Sequence, residues 1–336
     1  MKNLLYIGNH LSKTGKTETA IETLSQSLRL EGYKVFAFSN KTNKLFRLFD
    51  MLFAILKYSK KVDYVLIDTY STSNFYYAFL CSQLCQTYNL KYIPILHGGN
   101  LPNRIKLNPK LSKAIFKNAL INISPSAYIQ SEFAKQGFSN VMIIPNAIDL
   151  KSYVFKQREF KTIKLLWVRS FSEIYNPLLA VKILKSLKDE GLNASLCMVG
   201  PEGDGSLEKT KDYAKVLGMD VIFTGKLSKK EWIKMSTDYN VFLNTTNFDN
   251  MPVSVIEAMA LGLPIISTNV GGLPFLISHN EDGKLVNPND VSGFVDAIKE
   301  IISSPEEAIK LAQNARRKVE DYDWRKIKSQ WMSLLE

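Results

Sequence analysis

Only three cysteines occur in this 336-residue chain, and Cys81, Cys85 and Cys197 show neither an even count nor metal-ligand spacing nor a histidine cluster beside them. That pattern speaks against a disulfide framework and a structural zinc site and for reduced, buried thiols, with Cys81 and Cys85 on one helix face. Long hydrophobic runs are also missing. No stretch approaches the roughly 20 apolar residues that cross a bilayer, and the apolar part of residues 1–8 is too short for a secretory leader. The expectation is a cytoplasmic protein, at most peripheral at the inner face of the membrane. Short-period repeats and low-complexity segments are absent, which excludes solenoids and disordered arrays.

Acidic residues are scarce in one half. Residues 1–150 hold 18 Lys and Arg against 8 Asp and Glu, whereas residues 151–336 hold 25 against 24, so nearly all of the net +11 lies in the first half. Such asymmetry implies an anionic partner there: nucleic acid, a phosphorylated substrate or a negatively charged membrane. Within that half, residues 41–61 combine Leu45, Phe46, Leu48, Phe49, Leu52, Phe53, Ile55 and Leu56 with Lys41, Lys44, Arg47, Lys57, Lys60 and Lys61. The segment reads either as a helix on a membrane surface or as a core helix with a solvated basic face.

What is present is enough apolar material for two cores. The length exceeds what one hydrophobic core usually supports, so two domains are the prior. Short apolar runs at 4–7, 35–38, 64–67, 92–96, 120–123 and 142–144 alternate with longer helical or loop segments. The charged stretch 151–162 reads as a linker, and the beat resumes at 164–168, 195–199, 221–223, 241–244, 265–267 and 284–286. This is the pattern of two α/β, doubly wound parallel sheets, whose ligands bind beyond the carboxyl ends of the strands.

The most informative stretch follows the run at 241–244. Asn244-Thr245-Thr246-Asn247 cannot continue a core, so the chain turns there. Pro252 suits the first position of a helix, Val255, Ile256, Met259 and Ala260 recur at helical spacing, and Gly262 stops the helix before Pro264. Free N–H groups and the positive dipole end at residues 251–254 suit a phosphate. Asp249 outside the helix and Glu257 inside it can accept from hydroxyls, a carboxylate matching a vicinal diol, and Gly271-Gly272 permits close approach of a ligand. A capped amphipathic helix with a solvated Glu would give the same spacing.

Other strand ends add candidates. Arg169 follows the run at 165–168 and can bridge two phosphate oxygens. His97 follows the run at 92–96 ahead of Gly98-Gly99, and Lys226 follows Phe223-Thr224-Gly225. Each also has a structural or merely solvated reading. Gly15-Lys16-Thr17 lies after the first strand, but a phosphate-cradling P-loop needs glycine where His10 stands.

Taken in order, these residues resemble a known family. The first strand and its glycine loop, Ile144-Pro145-Asn146-Ala147-Ile148-Asp149, Arg169, Phe223-Thr224-Gly225, the run from Asp249 to Glu257, Gly271-Gly272 and the closing Asp321-Tyr322-Asp323-Trp324 resemble the retaining glycosyltransferases of family 4, also described as glycosyl transferases group 1. The resemblance implies the GT-B architecture: two Rossmann-like domains facing a central cleft, with an acceptor-binding domain at 1–155, a nucleotide-sugar-binding domain at 156–319 and a last helix at 320–336 crossing back. It also implies residue roles. Arg169 would bind the diphosphate, Asp249 the donor sugar and Glu257 the ribose. Asn250, Met251 and Val253 would meet sugar and phosphate through their backbone, His97 would face the donor sugar, Gly15 would approach diphosphate or acceptor, and Lys226 and Leu227 would contact the base.

The implied function is transfer of a hexose-type sugar from a nucleotide-diphosphate sugar to a glycan, lipid-linked or other acceptor, with no metal cofactor and no nucleic-acid partner. An anionic membrane surface is a further expected partner of the basic first domain. Two positions depart from the family. The first acid of the pair is Asp249 rather than Glu, and Ile174 stands where a second diphosphate cation is usual, a charge that Lys226, Lys13 or Lys16 could replace. Asp321-Tyr322-Asp323 has a metal-binding spacing but reads as structural at this place in the chain. The residues leave two other classes open: a P-loop-like nucleotide-binding enzyme using Lys16, and a non-catalytic sugar-nucleotide or polyanion-binding protein.

Overall fold

The computed structural model describes residues 2–10 and 19–336. The chain divides into two compact units, Met1–Pro145 with Trp324–Glu336, and Asn146–Asp323.

In the first unit six strands form one parallel sheet among the described residues: β1 (Asn3–Ile7), β2 (Lys34–Phe38), β3 (Tyr64–Thr69), β4 (Lys91–Leu96), β5 (Asn122–Ser124) and β6 (Val141–Ile143). Their order is β2-β1-β3-β4-β5-β6. Leu5, Ile7, Val65 and Ile67 are fully or almost fully buried, as continuous apolar runs covered on both sheet faces should be. The helix Asn74–Thr87 packs on this sheet through Ala78, Cys81 and Cys85. Burial pushes both thiols up, Cys85 to about 12, so they are inert apolar packing groups. The helix Trp324–Leu335 belongs to this unit, and Lys328 Nζ lies 3.0 Å from Glu31 Oε2.

The second unit holds β7 (Ile163–Val168), β8 (Ala194–Val199), β9 (Ile222–Gly225), β10 (Val241–Asn244), β11 (Ile265–Thr268) and β12 (Lys284–Val286), in the order β12-β11-β10-β7-β8-β9. This is the doubly wound Rossmann order, and the winding reverses between β7 and β10, which pair directly. The stretch 151–162 is not a linker. Tyr153 and Phe160 join the cores of this unit, and Arg158 is buried, donating to the Ser236 and Leu261 carbonyl oxygens at 2.8 and 2.7 Å. Burial lowers that guanidinium to about 10. The boundary lies before Asn146 because Ile148 N donates to Tyr322 O at 2.9 Å and Leu150 packs in the same core. No described helix is long and apolar enough to cross a membrane.

Candidate functional site

Reversal of the winding between β7 and β10 leaves an open position at their carboxyl ends, where loops diverge to opposite faces of the sheet. Arg169 is the first residue beyond β7, and Asp249 lies in the loop beyond β10. The structure brings them together as an ion pair between Arg169 Nη2 and Asp249 Oδ2, with both side chains mostly buried. The guanidinium also stacks over the Tyr175 ring, 4.2 Å from its centroid, which fixes its plane. The two loops are joined beneath it: Trp167 Nε1 donates to Thr245 Oγ1 at 3.0 Å, and Thr245 Oγ1 donates to Asn176 O at 2.9 Å. At Ile174, which stands in place of a second cation, the carbonyl accepts from Asn247 N at 2.7 Å. That position therefore serves the site through its backbone.

The helix after this loop runs Val253–Ala260, with Pro252 as its cap rather than its first helical residue. Within its first turn Val255 N donates to Pro252 O at 3.1 Å, which leaves the N–H groups of Val253 and Ser254 without an intrahelical acceptor. Among the described residues, Arg169 Nε and Ser254 Oγ are buried without a hydrogen-bond partner. Two unsatisfied donors near a helix N-terminus suit an anionic, oxygen-rich ligand, since an orphaned buried donor costs about 1–3 kcal/mol.

Glu257, one turn further along, is not a solvated residue. It is 4 % exposed; its Oε1 accepts from Tyr153 Oη at 2.6 Å and forms an ion pair with Lys229 Nζ at 2.8 Å. Neither partner was anticipated. Tyr153 lies in the segment read as a linker. Lys229 opens a helix announced by the Ser228–Glu231 capping box, a signal that locates the helix start but not the carboxylate its lysine reaches. Lys226, expected beside a base, is exposed in the loop after β9, and Leu227 is half-buried against the core that holds Val255 and Ile256.

The glycine pair plays a different part from the one expected. A Cβ on Gly271 would stand 2.1 Å from Asp249 O, and one on Gly272 would stand 2.0 Å from Asn250 O. The close approach is therefore taken by the protein's own backbone, and Gly272 N donates to Asp249 O at 3.0 Å. Gly200 does the same for the arginine: its φ is +154° and a Cβ there would meet Arg169 O at 1.7 Å. Asn146 Nδ2 donates to Met251 O at 3.2 Å, so the Asn-Ala-Ile-Asp stretch braces the same loop, in which Asn250 and Met251 are buried. Within this unit Arg169, Asp249, Asn250, Met251, Val253 and Glu257 thus lie on two adjoining loops and one helix.

His97 belongs to the first unit, directly beyond β4. Its Nε2 lies 2.7 Å from Asp68 Oδ1, which also accepts from Tyr6 Oη at 2.8 Å, and its ring stacks on Tyr70 at 5.1 Å. Asp68 lies near the carboxyl end of β3, at the β1–β3 reversal, where a Cβ on Gly8 would collide with its carboxylate. Burial and then Asp68 push the Tyr6 phenol well up, so it stays a donor. The carboxylate fixes the histidine tautomer, a link between β3 and β4 with no sequence signature. Gly15, Lys13 and Lys16 lie outside the described residues.

Comparison with known proteins bears on the family and the fold. Residues 152–318 match the family model Glycosyl transferases group 1. Sulfoquinovosyl transferase SQD2 of Arabidopsis thaliana is 31% identical over 150 residues, 44% of this chain and 28% of that protein. D-inositol 3-phosphate glycosyltransferase of Saccharomonospora viridis is 27% identical over 147 residues, 41% of this chain and 34% of that one. The matched stretches thus span about a third of these curated relatives. Among solved structures, sucrose-phosphate synthase from Thermosynechococcus elongatus superposes with a TM-score of 0.84 at 18% identity, covering 99% of this chain and 98% of that one. Anabaena HepE in complex with UDP-glucose gives 0.81 at 15% identity, covering 100% and 99%. At these identities the likeness carries the fold, which is GT-B: two Rossmann-like units, each with a six-stranded parallel sheet.

Proposed function

We propose that this chain, which carries a glycosyl transferases group 1 domain over residues 152–318, is a cytoplasmic, retaining glycosyltransferase of the family 4 type. It moves a sugar from a nucleotide-diphosphate sugar to a glycan or lipid-linked acceptor. The observation that carries the proposal is the meeting of Arg169, Asp249 and the N-terminus of the helix Val253–Ala260 at the β7/β10 reversal, with Arg169 Nε and Ser254 Oγ left without partners. That the structurally similar HepE was crystallised with UDP-glucose supports a nucleotide-sugar donor.

In this reading the bond between the anomeric carbon and the diphosphate oxygen breaks, and the electron pair leaves with the diphosphate. Arg169 and the helix N-terminus stabilise that charge, so no metal is required. The acceptor oxygen bonds to the anomeric carbon on the face the diphosphate leaves, and its proton passes to the leaving phosphate, retaining configuration. Glu257 receives the ribose diol, Asp249 the sugar hydroxyls, and backbone at Lys226 and Leu227 the base.

The test is a thermal-shift and calorimetric screen of UDP-, GDP- and ADP-sugars. A ligand at about one hundred times its Kd stabilises the folded state by about 2.7 kcal/mol. Arg169→Ala and Glu257→Gln should each weaken the best donor at least about tenfold, a loss of about 1.4 kcal/mol. Stabilisation by none of the three overturns the donor site. Transfer abolished by excess chelator overturns the metal-independent mechanism, and an inverted product anomer overturns retention.

A further inference from the structure

The helix Lys44–Tyr58 has two apolar faces, and only one is used by the fold. Met51, Ala54 and Ile55 are buried against the sheet and the helix Asn74–Thr87. Arg47, expected on a basic outer face, is buried with them, donating to the Lys41 and Thr42 carbonyl oxygens at 2.8 and 3.0 Å and to Asn9 Oδ1 at 3.0 Å. On the opposite side Leu45, Phe46, Phe49, Phe53 and Leu56 are 68, 68, 65, 62 and 44% exposed. At 100° per residue these five fall within an arc of about 100°, a continuous stripe about 17 Å long. Phe46, Phe49 and Phe53 line a shallow open groove with Lys41 and Asp50. A soluble protein seldom leaves three phenylalanines in one patch without a partner.

Charge says which partner. The first unit holds 21 Lys and Arg against 8 Asp and Glu, a net of +13, and the second a net of −2. Lys41, Lys44, Lys57, Lys60 and Lys61 surround the stripe, all exposed, and none is ion-paired among the described residues. Asp50 is the one acid on the helix. A second copy of the chain would bring the same lysines against these, so self-association is opposed by like charge. An anionic lipid surface offers hydrocarbon for the aromatic stripe and phosphate for the lysine collar.

We propose that the helix Lys44–Tyr58 docks the protein on an anionic bilayer. The helix lies in the interfacial plane with Phe46, Phe49 and Phe53 among the acyl chains and the lysines at the headgroups. The docking needs no donor nucleotide and stands apart from the transferase reading.

Co-sedimentation of the full chain with vesicles of phosphatidylcholine, with and without about 30% phosphatidylglycerol, tests it. Binding is expected only to the anionic vesicles and should weaken about fivefold for each lysine neutralised, as in Lys57→Gln and Lys60→Gln, and on raising the salt. Phe46→Ser/Phe49→Ser/Phe53→Ser should abolish it while leaving unfolding, solution mass and donor-induced thermal stabilisation unchanged, because these side chains support no core. Equal binding to neutral vesicles, binding undiminished in the triple variant, or a dimer that the triple variant dissolves would each overturn the proposal. Since donor binding is read separately, failure here leaves the transferase assignment standing.

Discussion

Gly272→Ala isolates the claim that the glycine pair exists to seat the Asp249 loop. The backbone at Gly272 has an ordinary negative φ of −86°, so alanine meets no intrinsic penalty, and any effect must come from contact. The added Cβ would stand 2.0 Å from Asn250 O, 2.8 Å from Asn250 C and 3.1 Å from Asn250 Cα. All three are backbone atoms and no rotamer change can relieve the clash. A carbon needs about 3.3 Å from a carbonyl oxygen, so the two segments must separate by about 1.3 Å. That motion weakens the hydrogen bond from Gly272 N to Asp249 O and draws Asp249 from Arg169. Overpacking of this size costs about 1–3 kcal/mol, or several degrees in the melting of a unit this large. A site displaced by about 1 Å loses on the order of a hundredfold in turnover. Urea unfolding, followed through the Trp167 environment of the second unit, gives the first number, and donor titration with transfer kinetics gives the second. An alanine variant with wild-type stability and wild-type donor affinity would refute the reasoning, because the backbone contact would then be slack.

Two further outcomes follow from the same unit. Tyr153→Phe removes a 2.6 Å donor from the buried Glu257 carboxylate and should lower stability by about 1–3 kcal/mol in urea titration; a change within about 0.3 kcal/mol would mean Lys229 alone satisfies that carboxylate. Hydrogen bonds from Ser172 and Ser206 hold Asp204 down to about 2, joined by Glu173 N, and the carboxylate thereby pins the loop after β7 to the loop after β8. A group depressed in the folded state contributes stability above its unfolded pKa of about 3.9. That contribution fades as pH falls from about 4 through about 2, and acid unfolding of Asp204→Asn should be flatter in that window alone. Parallel acid limbs for wild type and variant would remove Asp204 from the account.

Each of the twelve strands among the described residues overlaps a short apolar run read from the sequence, because a strand covered on both faces is largely apolar and that leaves a mark in one dimension; β5, Asn122-Ile123-Ser124, overlaps its run only at its first two residues. Arg169, Asp249 and Glu257 were legible as candidates for a similar reason: each stands at a fixed offset from a strand end or within a helix whose start and stop are written in Pro252 and Gly262. What these residues touch was not legible. Tyr153 sits in a charged, aperiodic stretch and reaches Glu257 across 104 positions, and His97 finds Asp68 across 29. The outward Phe46, Phe49 and Phe53 read equally well as core, since composition cannot say which of two apolar faces the sheet will cover.

The amino-acid order alone therefore determined two α/β halves, the basic character of the first and the residue types gathered at the strand ends, all of them properties of local spacing and composition. The tertiary structure decided that Arg169 pairs with Asp249, that Gly271 and Gly272 clasp the protein's own loop, and which face of the Lys44–Tyr58 helix is left outside. Those outcomes depend on strand order and on contacts between distant segments, and parallel crossovers bring together residues whose separation along the chain carries no periodic trace.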